Sequence, residues 1–172
     1  MTAALDHKKA SVGDVLEAEL ALLLRVARRL SGNETDAEDL VGQVIVKAIQ
    51  AWDSFDGRYP RSWLIRILNN EWLQTIRKRK VRQEVSQPED EEISDDGFWK
   101  GIDAQLEATS ILKALDRIPE EYRIAVTLCD IEEMSYEEAA LTLDVPLGTI
   151  RSRLFRGRKM LRARLTGMEN TR

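Results

Sequence analysis

From Val12 to Leu30 the apolar residues Leu16, Leu20, Leu23, Ala27 and Leu30 recur at three- and four-residue intervals, which predicts an amphipathic helix. Gly32 stands where a C-terminal cap belongs. Thr35 and Glu38 have the spacing of a capping box and predict a second helix. Its inward positions are Ala37, Leu40, Val41, Val44, Ile45, Ala48, Ile49 and Trp52, with Asp36, Asp39, Gln43 and Gln50 outside. Gly42 inside that helix costs about 1 kcal/mol against alanine, so close packing or an approaching partner has to explain it. A turn-rich loop, Asp53 to Pro60, carries Phe55 and Tyr59. A long helix follows from Arg61 to Arg79, its apolar faces built from Trp63, Leu64, Ile67, Leu68, Trp72, Leu73 and Ile76. Further on, Ala108, Ile111, Leu112, Leu115 and Ile118 trace a helix that starts near Ala104 and runs up to Pro119. That proline opens another helix, carrying Tyr122, Ala125, Val126 and Cys129 inward. No strand pattern appears, so the expected fold class is all-α.

The pattern is sharpest from Ser135 to Leu165. Ser135 with Glu138 is a second capping box, so a helix should begin at Tyr136 with Ala139, Ala140 and Leu143 on its apolar stripe. Asp144, Val145 and Pro146 interrupt it, and Pro146 suits the first turn of a new helix. On that helix Leu147, Ile150, Leu154, Leu161 and Leu165 share one face, while Arg151, Ser152, Phe155, Arg156 and Lys159 project from another. The two helices and their tight turn read as a helix-turn-helix. Between Leu147 and Leu165 stand Arg151, Arg153, Arg156, Arg158, Lys159, Arg162 and Arg164, with no acid. Such a basic face on an ordinary helical hairpin is commonly just solvated. Phe155 argues for more, because an aromatic among arginines can touch a thymine methyl while the guanidinium forks read guanine edges.

Charge then divides the chain. The net charge of −4 is not that of a simple DNA-binding protein, but it is segregated. Arg58 to Arg82 holds eight basic residues and one acid, Glu71; Gln83 to Glu107 holds nine acids and one base, Lys100. The expected organisation is therefore a flexible tail over 1–11, a helical domain over 12–82, an acidic flexible linker over 83–103 and a helix-turn-helix domain over 104–172. Phe55 and Tyr59, beside Arg58, Arg61, Arg66, Arg77, Lys78, Arg79 and Lys80, have the composition of a stacking platform next to a backbone-tracking groove for single-stranded nucleic acid. For Trp52, Trp63 and Trp72 the simpler assignment is core. Cys129 is the only cysteine and His7 the only histidine, so neither an internal disulfide nor an ordinary zinc site is expected, and Cys129 fits a small core position. No apolar run approaches the roughly 20 residues that span a bilayer, and no signal peptide is apparent. A soluble, intracellular protein is expected, without cofactor or metal.

The run IPEEYRIAVTLCDIEEMSYEEAALTLDVPLGTIRSRLFRGRKML closely resembles the C-terminal domain of bacterial sigma factors of the extracytoplasmic-function (ECF) group of the sigma-70 family. LSGNETDAEDLVGQVIVKAIQAWDSF and SWLIRILNN are similar to the promoter-melting domain of the same group. The resemblance implies a protein that is not an enzyme: it binds core RNA polymerase through the largest subunit's clamp helices and the flap, directs it to promoter DNA and helps to open the duplex. It places Asp39 and Gln43 against the clamp helices, although the family's Gln-Glu pair is replaced here by Gly42 and Gln43. Phe55, Arg58, Tyr59, Arg61, Trp63, Arg66 and Asn70 would meet the melted −10 strand; the family often has an aromatic at Pro60, and here Tyr59 stands one place earlier. Arg151, Ser152, Phe155 and Arg156 would read the −35 duplex, with Arg158, Lys159 and Arg162 on phosphates. A cytoplasmic protein, nucleoid-associated when in holoenzyme and held by an anti-sigma factor, is implied as well.

Charge segregation adds an expectation that the linker acids Glu89, Asp90, Glu91 and Glu92 shield the basic surfaces when polymerase is absent. Two other classes also fit parts of the chain. A promoter-specific repressor or activator would share the helix-turn-helix but would not need the aromatic, basic N-terminal half. A nucleic-acid enzyme would use Asp36, Glu38 and Asp39 as metal-binding carboxylates, yet acids in a helix's first turn are favoured by the helix dipole alone.

Overall fold

The computed structural model describes residues 11–80 and 108–169. The first ten residues, the linker expected over 83–103 and the helix start expected near Ala104 lie outside the described residues. The helices are α1 (Val12–Ser31), α2 (Glu34–Ala51), α3 (Pro60–Lys80), α4 (Ala108–Leu115), α5 (Glu120–Val126), α6 (Tyr136–Leu143) and α7 (Leu147–Glu169). No strand occurs among the described residues. The chain divides into two compact units, one containing α1 up to Arg28 with α2 and α3, the other containing α4 to α7.

In the first unit α1 begins at a cap that the tail assignment passed over. The Ser11 hydroxyl accepts the Asp14 N–H at 3.2 Å, while the Asp14 carboxylate accepts the Ser11 N–H at 2.9 Å and its hydroxyl at 2.7 Å. These bonds, the side-chain one foremost, hold the Asp14 carboxyl below the usual carboxylate range. The core stripe of α1 is Val15, Leu16, Leu22, Leu23, Val26, Ala27 and Leu30; Leu20 is exposed. Gly32 closes the helix in the left-handed region at φ 76°, as its position predicts.

The capping box expected at Thr35 is not the one used. Asn33 is the N-cap of α2, its Oδ1 accepting the Asp36 N–H at 2.8 Å, and its Nδ2 donates to the Asp36 carboxylate at 3.0 Å. Asparagine is as good a cap as threonine, and starting two residues earlier also places Asp36 where the Arg79 guanidinium reaches it at 3.0 Å. Of the expected inward residues of α2, Ala37, Leu40, Val41, Val44 and Ala48 are buried and Ile45 and Trp52 half-buried, but Ile49 is 54% exposed, as is Val46 at 53%. The apolar band of α2 is therefore wider than the part of it that the fold covers. On α3 the buried set is Leu64, Ile65, Leu68, Trp72 and Ile76, with Asn69 among them.

In the second unit α5 is buried along its length from Tyr122 to Val126 and continues into a π-helical turn, Thr127–Ile131. Arg123 is buried too, and its guanidinium donates to the carbonyls of Asp116 at 2.7 Å and Ile118 at 2.9 Å, tying down the turn between α4 and α5. Cys129, expected inside, is half-buried in the π turn; desolvation first, and the neighbouring Asp130 charge second, push its thiol up to about 12. Ser135 caps α6 as predicted, accepting the Glu138 N–H at 3.1 Å. Asp144 then turns the chain in the left-handed region at φ 55°, and the Pro146 carbonyl accepts the first amides of α7. Ile150, Leu154, Leu161 and Leu165 are buried beneath α7, and Gly157 lets α7 approach α5 closely.

Candidate nucleic-acid interface

The second unit carries a basic face on α7. Arg151 and Lys159 are exposed and Ser152, Phe155 and Arg156 half-exposed, on the side of the helix away from its leucine stripe. The Ser152 hydroxyl donates to the Thr149 carbonyl at 3.1 Å, which fixes where it points. Phe155 is neither core nor fully solvated. Arg158 departs from expectation. Its Nε and one terminal nitrogen donate to both oxygens of Asp130, at 3.0 and 2.7 Å, and that nitrogen also donates to the Tyr136 hydroxyl at 3.1 Å. Its side chain is only 12% exposed and that of Asp130 5%. Arg158 sits at the edge of the core stripe, where a fork of donors finds a carboxylate before it finds solvent, and in the free chain Asp130 engages that fork. The pairing with Asp130 raises the basicity of a guanidinium that is already always charged.

In the first unit the aromatic residues fall into three groups rather than one cluster. Phe55 and Trp63 stack with centroids 4.4 Å apart, and Trp52 closes on them at 5.4 and 6.1 Å. A short 3₁₀ turn, Trp52–Ser54, brings Phe55 back over α3, its N–H bonded to the Trp52 carbonyl. Tyr59 stands apart, 77% exposed and in the left-handed region at φ 50°, where a bulky residue is strained. Its carbonyl accepts the Trp63 N–H at 3.0 Å, so the strained residue also starts α3. Arg58 is exposed, its N–H held by the Asp56 carboxylate at 2.8 Å. Helical spacing puts Trp63, Arg66 and Asn70 on one strip, with Arg66 and Asn70 exposed. Arg61 does not join them; it points to α1, its Nε 3.3 Å from the Glu19 carboxylate.

Trp72 lies on the opposite side of α3, buried, its indole N–H without a hydrogen-bond partner. It helps to line a cleft of about 110 Å³ together with Asp36, Asp39, Leu40, Gln43, Thr75 and Arg79. Asp39 and Gln43 are therefore brought together, beside the Arg79 guanidinium that lies 5.8 Å from the Trp72 ring centroid. Trp72, Thr75 and Arg79 were not foreseen as part of this surface, although their spacing on α3 carries the signal. Bonds to Asn33 first and Arg79 second hold the Asp36 carboxyl below the usual range. The carboxylates of Asp36, Glu38 and Asp39 do not converge: among the described residues no group of three or more acidic, histidine or cysteine side chains could hold a metal ion. Nor is any helix among them long and apolar enough to cross a membrane.

A three-helix unit with one exposed and several half-buried aromatics beside a basic helix, followed by a unit ending in a helix-turn-helix, fits a class of DNA-directed transcription proteins. Residues 15–82 match the family described as Sigma-70 region 2, and residues 108–161 the family described as Sigma-70, region 4. The chain is 40% identical over 149 residues to the ECF RNA polymerase sigma factor SigE of Mycolicibacterium smegmatis, covering 80% of this chain and 55% of that protein. It is 35% identical over 156 residues to the ECF RNA polymerase sigma factor EcfG of Rhodopseudomonas palustris, covering 90% of this chain and 85% of that protein. The solved structure of the sigma factor RpoE in complex with the anti-sigma factor NepR from Bartonella quintana is similar at a TM-score of 0.68 and 30% identity, over 88% of this chain and 94% of that one. The chain belongs to the sigma-70 family, as an ECF RNA polymerase sigma factor. It spans a little over half the length of the Mycolicibacterium relative.

Proposed function

We propose that this protein binds core RNA polymerase, carries it to particular promoters and assists their opening, performing no chemistry itself. The observation that carries the reading is the face of α7, where Arg151, Ser152, Phe155, Arg156 and Lys159 present two kinds of contact, forked donors and an aromatic edge, with no acid on the helix from Leu147 to Leu165. This face lies in the major groove of the −35 element, where each bidentate arginine discriminates between bases by about 1 to 3 kcal/mol. Lys159 and Arg162 give affinity through phosphates. The other nucleic-acid surface is the strip of Arg58, Tyr59, Trp63, Arg66 and Asn70 with Phe55 beneath it, acting on the opened −10 strand. Extruding a base costs a few kcal/mol, and Tyr59, exposed and already held in an uncommon backbone conformation, supplies a ring for that base to stack on. Arg61 supports this strip from behind through Glu19.

The cleft between α2 and α3, with Asp39 and Gln43 at its mouth, is the polymerase-facing surface in this reading. The domains run over 12–82 and 104–172, with 83–103 as the connector. The protein works in the cytoplasm and reaches the nucleoid as part of holoenzyme. By analogy with the Bartonella sigma factor crystallised with NepR, an anti-sigma factor is its regulator. The test is transcription from fragmented genomic DNA by purified core polymerase with and without this chain, with 5′ ends sequenced. Defined start sites sharing an upstream element are expected, lost on Phe155→Ala or Arg151→Ala. Transcripts that start at random with the wild-type chain present refute the reading.

A further inference from the structure

The recognition face needs a fixed orientation, to which packing and directional bonds both contribute. Ile150, Leu154, Leu161 and Leu165 are held by burial, which is non-directional, and Gly157 sets how closely α7 approaches α5. Reading bases asks for more, since hydrogen bonds weaken steeply once the donor angle is lost. Arg158 supplies a directional contact of this kind on α7. It lies one turn beyond Phe155 and two beyond Arg151, at the border between the recognition face and the core. Its planar fork grips both oxygens of Asp130 in the π turn, and the nitrogen that serves Oδ1 also reaches the hydroxyl of Tyr136, the first residue of α6. One guanidinium thereby ties together three segments: the turn leading into the motif, its first helix and its recognition helix.

We propose that Arg158, through Asp130 and Tyr136, is a positioning residue that sets the roll of α7 and hence the promoter discrimination of Arg151, Phe155 and Arg156, without touching DNA. The inference rests on the reading of α7 as the −35 recognition helix. The geometry of the pair favours this role over simple stabilisation. A buried ion pair contributes little net stability over a well-packed apolar replacement, whereas two parallel charge-assisted bonds from a planar group admit only one relative placement of their carriers. The π turn contributes as well: its Thr127–Ile131 backbone places Asp130 where a carboxylate meets α7 side-on.

The roles separate by substitution in the full-length chain assembled with core polymerase. The readouts are affinity for a promoter duplex against one with a scrambled −35 element, and the salt dependence of each affinity. Arg158→Lys keeps the charge but not the fork, so a phosphate contact survives it and a positioning contact does not. Arg158→Lys and Asp130→Asn are each expected to lower the discrimination ratio about tenfold, the scale of one lost bidentate base contact. Neither should flatten the salt slope, whereas losing a phosphate contact reduces it by about 0.9. Tyr136→Phe removes a single hydroxyl and leaves the ion pair in place; it should lower the ratio two- to threefold, on the scale of one hydrogen bond of about 0.5 kcal/mol. Full discrimination retained by Tyr136→Phe and Asp130→Asn, or by Arg158→Lys, overturns the proposal, as does a flattened slope in Arg158→Met. A wild-type chain without discrimination refutes instead the underlying assignment of α7.

Discussion

Gly157→Ala sets two effects of known sign against each other. In an exposed helix interior the change is favourable by about 1 kcal/mol, because glycine gives up more backbone entropy on folding. At residue 157 a Cβ would lie 2.8 Å from Val126 Cγ2, 3.2 Å from Tyr122 Cβ and 3.3 Å from the Tyr122 carbonyl oxygen. Two of those neighbours are fixed to the α5 backbone, and the third belongs to a β-branched side chain with one strongly preferred helical rotamer. No flexible side-chain end can move aside, so α7 has to withdraw from α5 by about half an ångström. Such a gap forfeits a quarter or more of each contact along the seam, and overpacking of this kind costs about 1 to 3 kcal/mol. The steric effect wins, with a net loss of about 1 to 2 kcal/mol, or roughly 5 to 10 °C in Tm for a unit of this size. Thermal and urea unfolding followed by far-UV circular dichroism measure it. Gly42→Ala is the control: nothing lies within 4 Å of its Cβ, and stabilisation by about 1 kcal/mol is expected there. If Gly157→Ala stabilises the protein as much as Gly42→Ala does, the close approach of α5 and α7 is not as described.

Asn33→Ala should cost about 1 kcal/mol through loss of the α2 cap, while Thr35→Ala should stay within about 0.5 kcal/mol; urea midpoints separate them. The Asp36 carboxyl is depressed in the folded state, so its contribution is present above the usual carboxylate pKa and is lost as pH falls through the lower folded value. Arg79→Met should therefore lower stability in the neutral region and leave this contribution unchanged at low pH, so that the acid limb of a stability–pH profile flattens; an unchanged limb contradicts the Asp36–Arg79 pairing. With its thiol raised to about 12, Cys129 should be alkylated by iodoacetamide at pH 8 far more slowly in the native chain than in urea, which mass spectrometry reads directly. Rapid native labelling would show that the π turn opens readily.

The described helices were legible because their signals are local. Ser135 and Glu138 mark the start of α6, Pro119 and Pro146 stand just ahead of α5 and α7, and Gly32 terminates α1, each through backbone chemistry confined to a few residues. What failed were comparisons between competing local signals and statements about what covers a face. Ser11 and Asp14 carry a capping arrangement whose acid is aspartate rather than glutamate, and Asn33 stands two residues before a threonine that offers the same chemistry. Periodicity identifies an apolar band but not its width, so Ile49 reads as inward although burial on α2 is confined to Ala37, Leu40, Val41, Val44 and Ala48.

The candidate site divides in the same way. Arg151, Phe155 and Lys159 could be chosen from the helical wheel, because a residue set against the leucine stripe has to face outward. Arg158 could not, since it lies at the stripe's edge and its direction depends on Asp130, 28 residues earlier in the chain. The direction of Arg61 is likewise not legible locally, since Glu19, 42 residues away, holds it. The direction of a basic side chain on these helices is thus set in part by carboxylates that the tertiary fold supplies from elsewhere in the chain, Asp130 for Arg158 and Glu19 for Arg61. In each unit an aromatic stands near arginines: Phe155 near Arg151 and Arg156 on α7, and Tyr59 near Arg58 in the loop before α3. Phosphate attraction alone needs no ring, so it is these aromatics that argue for contact with bases.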